Sequence, residues 1–140
     1  MSNVFRRFHQ PTGVEYWDNA MQIEIALTRF LLNDKNVPKR YLYIYVVPTL
    51  NTLGRMWDWI VAAYTTYPTT PELLKKKKMA LHNALCGNEA VIQRLQRMIY
   101  VLPIDLNKLD GLGELLDKES ALLRNALKNC KLQQQNKSDA

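Results

Sequence analysis

The sequence predicts an all-α protein: an antiparallel up-down-up-down four-helix bundle that assembles as a homo-oligomer. Three observations lead there. Apolar residues recur three and four apart over four long stretches, and the breaks between them hold Pro, Gly or Asn-Asp clusters. The third stretch keeps a heptad over nine positions. The second is apolar over more than one face, which a single small bundle cannot bury, so a second copy is expected to cover it.

With 140 residues, 47% of them hydrophobic and 23% charged, the chain is expected to form one domain with its own core. The expected organisation is an arm over 1–13, the bundle over 14–131 and a disordered polar tail over 132–140. The arm interleaves aromatics with cations as Phe5-Arg6-Arg7-Phe8-His9 before Pro11 and Gly13 break the chain. Such an arm either clasps RNA or lies loosely on the domain.

The first helix is expected from Val14 to Lys35. Its stripe runs through Val14, Trp17, Met21, Leu27, Phe30 and Leu31, with acids in its first half and Arg29 and Lys35 near its end. The second stretch, Asn36–Pro68, holds two of the three Trp and five of the seven Tyr. Within it, Tyr41–Val47 has the β-branched and aromatic composition of a strand. A lone strand has nothing to pair with, however, and the stripe continues through Leu50, Leu53, Trp57, Ile60, Val61 and Tyr64. Helix is therefore predicted throughout, with Pro48 as a kink or boundary.

Thr70, Pro71 and Glu72 supply an N-cap, a first-turn proline and a favourable charge for the third helix. Its predicted seam is Leu74, Lys78, Leu81, Leu85, Asn88, Ile92, Leu95, Ile99 and Leu102, with Lys78 snorkelling and Gly87 a weak point costing about 1 kcal/mol. Pro103 ends this helix. Asp105 is the candidate N-cap of the fourth, Leu106 to Lys131, whose stripe includes Leu112, Leu115-Leu116 and Leu122-Leu123. Gly111 and Gly113 either weaken its start or admit a close neighbour.

Charge is unevenly placed. The net charge is +6, and residues 71–103 carry six basic and two acidic side chains, +4 of that excess. Lys75-Lys76-Lys77-Lys78 stands at a helix N-terminus, where positive charge opposes the dipole. A polyanion-binding surface takes this form. The candidate nucleic-acid-binding residues are Lys39, Arg40, Lys75, Lys76, Lys77, Arg94 and Arg97. The candidate oligomer-interface residues are Tyr43, Trp57, Trp59 and Tyr64, since these rings cannot all enter one core.

No catalytic constellation stands out. His9 and His82 are the only histidines, and no phosphate loop, nucleophile elbow or di-metal ligand pair is present. Glu114, Asp117 and Glu119 read as solvated helix charges, so neither an enzyme nor a cofactor or metal is expected. Cys86 and Cys130 match no ligand spacing and read as ordinary reduced thiols. Without an apolar span or a signal segment, a cytoplasmic protein is expected.

The order of elements, with Val37-Pro38-Lys39-Arg40-Tyr41 opening an apolar-aromatic second helix before a long basic third and a fourth with Leu-Leu pairs, resembles the accessory variability determinant proteins of diversity-generating retroelements. It also resembles the related bundle proteins encoded by intervening sequences in bacterial 23S ribosomal RNA genes. The likeness covers roughly residues 14–130. It implies a homopentameric barrel with a basic surface that associates with the retroelement's reverse transcriptase and with its template-repeat RNA or cDNA, an RNA–DNA hybrid included, in support of mutagenic retrohoming. Lys39 and Arg40 match the family's basic corner. The lysine run rests on charge alone. The alternative is a structural or protein-interaction bundle of the intervening-sequence type with no direct nucleic-acid role.

Overall fold

A computed structural model describes residues 13–133 of the chain. These form four long helices, and no strand occurs among them. Residues 1–12, nearly all of the expected arm, and 134–140 of the expected tail lie outside the described residues.

Helix α1 spans Glu15–Leu31. Gly13, at φ +79°, turns the chain into it. The expected continuation to Lys35 does not form. The Asn33 side chain accepts the Lys35 N–H at 3.0 Å, and the Asn36 amide donates to the Phe30 carbonyl at 3.0 Å. Those side chains satisfy backbone groups that another helical turn would otherwise have used. The buried line of α1 is Tyr16, Asn19, Ala20, Ile23, Leu27, Phe30 and Leu31, so Trp17 and Met21 stand at its edge.

The Tyr41–Val47 run is helical. A 3₁₀ turn at Lys39–Tyr41 leads into a π-helical segment, Leu42–Val46, and then into α2, Val47–Thr65. Pro48 falls in the first turn of α2. A proline has no N–H and its ring crowds the preceding turn, so a wider π turn just before it relieves the conflict. The Thr49 and Thr52 hydroxyls donate to the Tyr45 and Pro48 carbonyls, one turn back, at 2.7 and 3.0 Å.

Helix α3 spans Pro71–Val101, with the Thr70 hydroxyl accepting the Leu73 N–H at 3.2 Å as its cap. A 3₁₀ turn at Leu106–Leu109, whose Asp105 cap accepts from Asn107, opens α4, Asp110–Lys128. Helix α3 packs along both α2 and α4, and α4 also packs along α1. The core between them is built on Ile23, Leu27, Leu53, Met56, Ile60, Leu81, Met98 and Leu123, all fully buried.

The α3 seam differs from the predicted one. Leu81, Asn88, Leu95 and Leu102 are buried as expected, but the places between them go to Ala84, Val91 and Met98. Leu85, Ile92 and Ile99 are only half-buried at the edge. Lys78 is exposed and lies off the seam. The reason is a close approach of α2: a Cβ on Gly87 would lie 3.0 Å from Cα and Cβ of Met56. Small residues on α3 let α2 in, and the larger Leu and Ile side chains rotate toward α4. Gly87 is thus a contact point rather than a tolerated weakness. Gly111 and Gly113 face open space and admit no neighbour.

Glu119 is also not the solvated charge expected of it. It is 0% exposed and stands on the buried line of α4 with Leu112, Leu116, Ser120 and Leu123.

Candidate functional site

Helices α2 and α3 meet end to end in a way that sorts the candidate cations into two groups. The last turn of α2 meets the first turns of α3. There the Lys77 ammonium donates to the carbonyls of Ala63, at 2.5 Å, and Thr66, at 3.1 Å. The first turns of α2 meet the end of α3, where Ile44, Tyr45, Thr49, Arg94, Arg97, Tyr100 and Val101 line a cleft of about 430 Å³. Arg94 and Lys76 are 18 residues apart on one helix, roughly 27 Å along its axis.

At the lysine end, Lys75, Lys76 and Lys78 are exposed, whereas Lys77 turns inward. Burial pushes the Lys77 ammonium below its usual range, with an opposing electrostatic influence from Cys130. Its two carbonyl partners are C-terminal acceptors of α2, so Lys77 caps that helix and complements its negative end. The lysine run therefore divides into three free cations and one structural one.

At the arginine end, Arg94 and Arg97 lie one turn apart on one face. Neither has a hydrogen bond or an ion pair among the described residues, and no carboxylate lines the cleft. Tyr100 is 89% exposed and Tyr43 82%. The Arg40 guanidinium lies 4.9 Å from the centre of the Tyr41 ring, which stands 6.2 Å from Tyr45 in the cleft wall. Lys39 is held 3.6 Å from Asp34 and is largely solvated. Thus Arg40, Arg94 and Arg97 share one end of the molecule with four tyrosines. Sequence reasoning named the arginines but missed Tyr45 and Tyr100. Tyr100 had a signal: three residues past Arg97, it breaks the polar face with a ring.

The four candidate interface rings do not form one patch. Trp57 is half-buried against Trp17, with ring centres 5.1 Å apart and edge to face, and Tyr64 packs on the same Trp17 at 4.7 Å. Trp59 is 41% exposed and, two residues from Trp57, points to the opposite side of α2. Tyr43 stands at the arginine end. A separate open groove between α1 and α2, about 520 Å³, runs past Trp17, Met21, Leu50, Gly54, Trp57 and Val61 with Glu24 and Asp58 at its polar positions.

Buried polar groups join α4 to its neighbours. The Asn88 amide donates to the Leu116 carbonyl and the Ser120 hydroxyl, both at 2.8 Å, and Ser120 donates to Glu89 at 2.8 Å. The Asn19 amide donates to the Leu115 carbonyl at 2.9 Å and to Glu119 Oε1 at 3.1 Å. Oε2 of Glu119 and Oδ1 of Asn88 are buried without partners. Burial raises the Glu119 carboxyl to about 8, against the opposing effects of the Asn19 hydrogen bond and of Lys118. An acid raised that far keeps its proton at neutral pH, and a protonated carboxyl suits a buried site in which no cation forms an ion pair with it. Tyr16 is likewise raised, first by burial and then by Cys130, Tyr64 and Glu119.

Among the described residues no cluster of His, Cys, Asp and Glu is placed to hold a metal, and no helix is long and apolar enough to cross a membrane. Cys86 and Cys130 are free thiols, and His82 Nε2 lies 3.6 Å from the Cys86 sulfur on the exposed face of α3. Comparison with known proteins finds no match to a family model, a curated protein or a solved structure.

Proposed function

We propose that this chain is a non-catalytic, self-associating bundle that binds nucleic acid, in an accessory role beside the reverse transcriptase of a diversity-generating retroelement. The observation that carries the nucleic-acid part is the uncompensated pair Arg94 and Arg97 in a cleft without carboxylates, flanked by exposed tyrosines. Free guanidinium groups bind phosphate by paired hydrogen bonds and position a backbone without reading its sequence. Exposed Lys75 and Lys76 add long-range attraction from the far end.

Several contacts support an up-down-up-down antiparallel arrangement: Lys77 with Ala63, Asn88 with Leu116, Asn19 with Leu115, and Trp17 with Tyr64. The exposed Tyr43, Trp59 and Tyr64 rings support self-association, with the pentamer and the polymerase partner resting on the sequence resemblance and a cytoplasmic setting on the apolar pattern of the sequence.

The test is titration of labelled RNA over a salt series. Wild-type affinity falls steeply with salt, and Arg94→Glu with Arg97→Glu weakens binding and flattens the salt slope by about 1–2 with no loss of thermal stability. Failure of the wild-type protein to bind at low salt sinks this reading and leaves the structural interaction bundle. A reverse-transcriptase gene beside this one, with near-identical repeats differing at adenines, separates the same two readings. The mass in solution tests the assembly, and a monomer overturns it.

A further inference from the structure

We infer that the arginine end of the α2–α3 pair is a single-strand site, in which a phosphodiester of unpaired RNA or DNA lies between Arg94 and Arg97 while a base of the same strand stacks on Tyr100. This rests on the nucleic-acid reading above and narrows it to one conformation of ligand and one location.

The cleft holds about 430 Å³, within the range of pockets that take small organic groups, roughly 300–1,000 Å³. Its cations are the two guanidinium groups. Its other side-chain donors are the hydroxyls of Thr49, Tyr45 and Tyr100, and that of Thr49 is committed to the Tyr45 carbonyl at 2.7 Å. An anion entering the cleft therefore meets Arg94 and Arg97, which lie one helical turn apart, and meets no carboxylate.

Tyr100 decides between strand and duplex. It is the next residue on that face, one turn past Arg97, and it is 89% exposed. A duplex offers this surface its phosphates but keeps its base faces inside the stack, so an exposed ring contributes little to binding it. An unpaired strand turns its bases outward, and each base has a face that stacks on an aromatic ring regardless of sequence. The path continues past the cleft wall: Tyr45 leads to Tyr41 at 6.2 Å, and Arg40 lies over Tyr41 at 4.9 Å. Rings set between guanidinium groups along one edge, here three tyrosines between Arg94 and Arg97 on one side and Arg40 on the other, suit a single strand by stacking plus phosphate contact.

The experiment compares a labelled 12-nucleotide RNA, the same RNA annealed to its complement, and adenosine monophosphate as competitor, against the wild-type protein and four variants. The single strand is expected to bind at least tenfold more tightly than the duplex. Tyr100→Ala is expected to weaken the single strand about ten- to hundredfold while leaving the duplex within twofold, and Tyr100→Phe to restore it, since stacking needs the ring and not the hydroxyl. Arg94→Gln and Arg97→Gln are each expected to lower the salt slope by about 0.7. Equal affinity for strand and duplex, or an unaffected Tyr100→Ala, overturns the single-strand site while leaving nucleic-acid binding in place. Adenosine monophosphate competing as well as the 12-mer overturns it in favour of a mononucleotide pocket. No binding of either RNA removes the parent reading as well.

Discussion

Lys77 donates a 2.5 Å hydrogen bond to the carbonyl of Ala63, and through it the start of α3 closes the end of α2. The same ammonium reaches the Thr66 carbonyl at 3.1 Å, so one cation satisfies two acceptors that a helix end leaves open. Lys77→Met keeps the stem and removes both bonds. It is expected to cost about 1.5–3 kcal/mol in urea unfolding, the range for hydrogen bonds to a charged group. Lys75→Met and Lys76→Met, on exposed side chains, are expected to fall within about 0.5 kcal/mol of wild type. Three equal effects would refute the division of the run into one structural and several free lysines.

At Gly87 the backbone of α3 comes close to Met56 on α2. Alanine is the better helix former by about 1 kcal/mol, so propensity alone predicts that Gly87→Ala stabilises. The added Cβ would meet Met56 Cα and Cβ at 3.0 Å, and backbone cannot swing aside as a side-chain tip does. Overpacking of this kind costs about 1–3 kcal/mol, which cancels the propensity gain of about 1 or exceeds it, so no stabilisation and a net loss of up to about 2 kcal/mol is expected in thermal unfolding. Because the clash is with Cα and Cβ, trimming the partner by Met56→Ala does not relieve it. A double variant in which Gly87→Ala becomes stabilising would overturn the account.

The sequence was most informative where one element's own pattern was decisive. Four helices and the Thr70 and Asp105 caps follow from local spacing and side-chain chemistry. Helix over Tyr41–Val47 followed from the absence of any strand to pair with, against local propensity. The α3 seam was displaced because Leu and Ile outweigh Ala and Gly in any hydrophobic tally, while the tightest helix contact needs the small residues. Glu119 was misread although the pattern held its signal: Leu112, Leu116, Glu119 and Leu123 are spaced four, three and four. The gathering of Arg94 and Arg97 with Tyr45 and Tyr100 was illegible for a different reason. It depends on which helix ends meet, which no single element's sequence states.

Asn88 occupies a seam position with 0% exposure, and its amide joins α3 to α4 through Leu116 and Ser120. Asn88→Ala removes both bonds and opens a small void, and a loss of about 2 kcal/mol is expected. Asn88→Leu removes the same bonds but also removes the unpartnered Oδ1 and fills the space. It is expected to lie within about 1.5 kcal/mol of wild type, since exchanging buried polar groups for well-packed apolar ones is often close to neutral. Chemical unfolding of both variants at one pH decides this. A leucine variant as weak as the alanine one would show that the hydrogen bonds, not the filling of the site, carry the energy.

Glu119 makes stability depend on pH with a sign opposite to that of a salt-bridged acid. Its carboxyl titrates from an ordinary 4.5 when unfolded to about 8 when folded, because burial disfavours the charged form. Below 4.5 both states hold the proton and the site's full contribution is present. Between 4.5 and about 8 the folded state keeps a proton that the unfolded chain has released. Stability then falls as pH rises, by up to about 1.4 kcal/mol per pH unit, and the loss levels off above about 8. Glu119→Gln has the shape of the protonated acid and keeps an oxygen for the Asn19 amide. The variant is expected to match wild type near pH 4.5 and to exceed it increasingly up to pH 8. Urea midpoints at pH 5, 6.5 and 8 measure the difference. Parallel curves for the two proteins would show that Glu119 is ionised in the folded state, and the buried Oε2 would then need a donor from elsewhere.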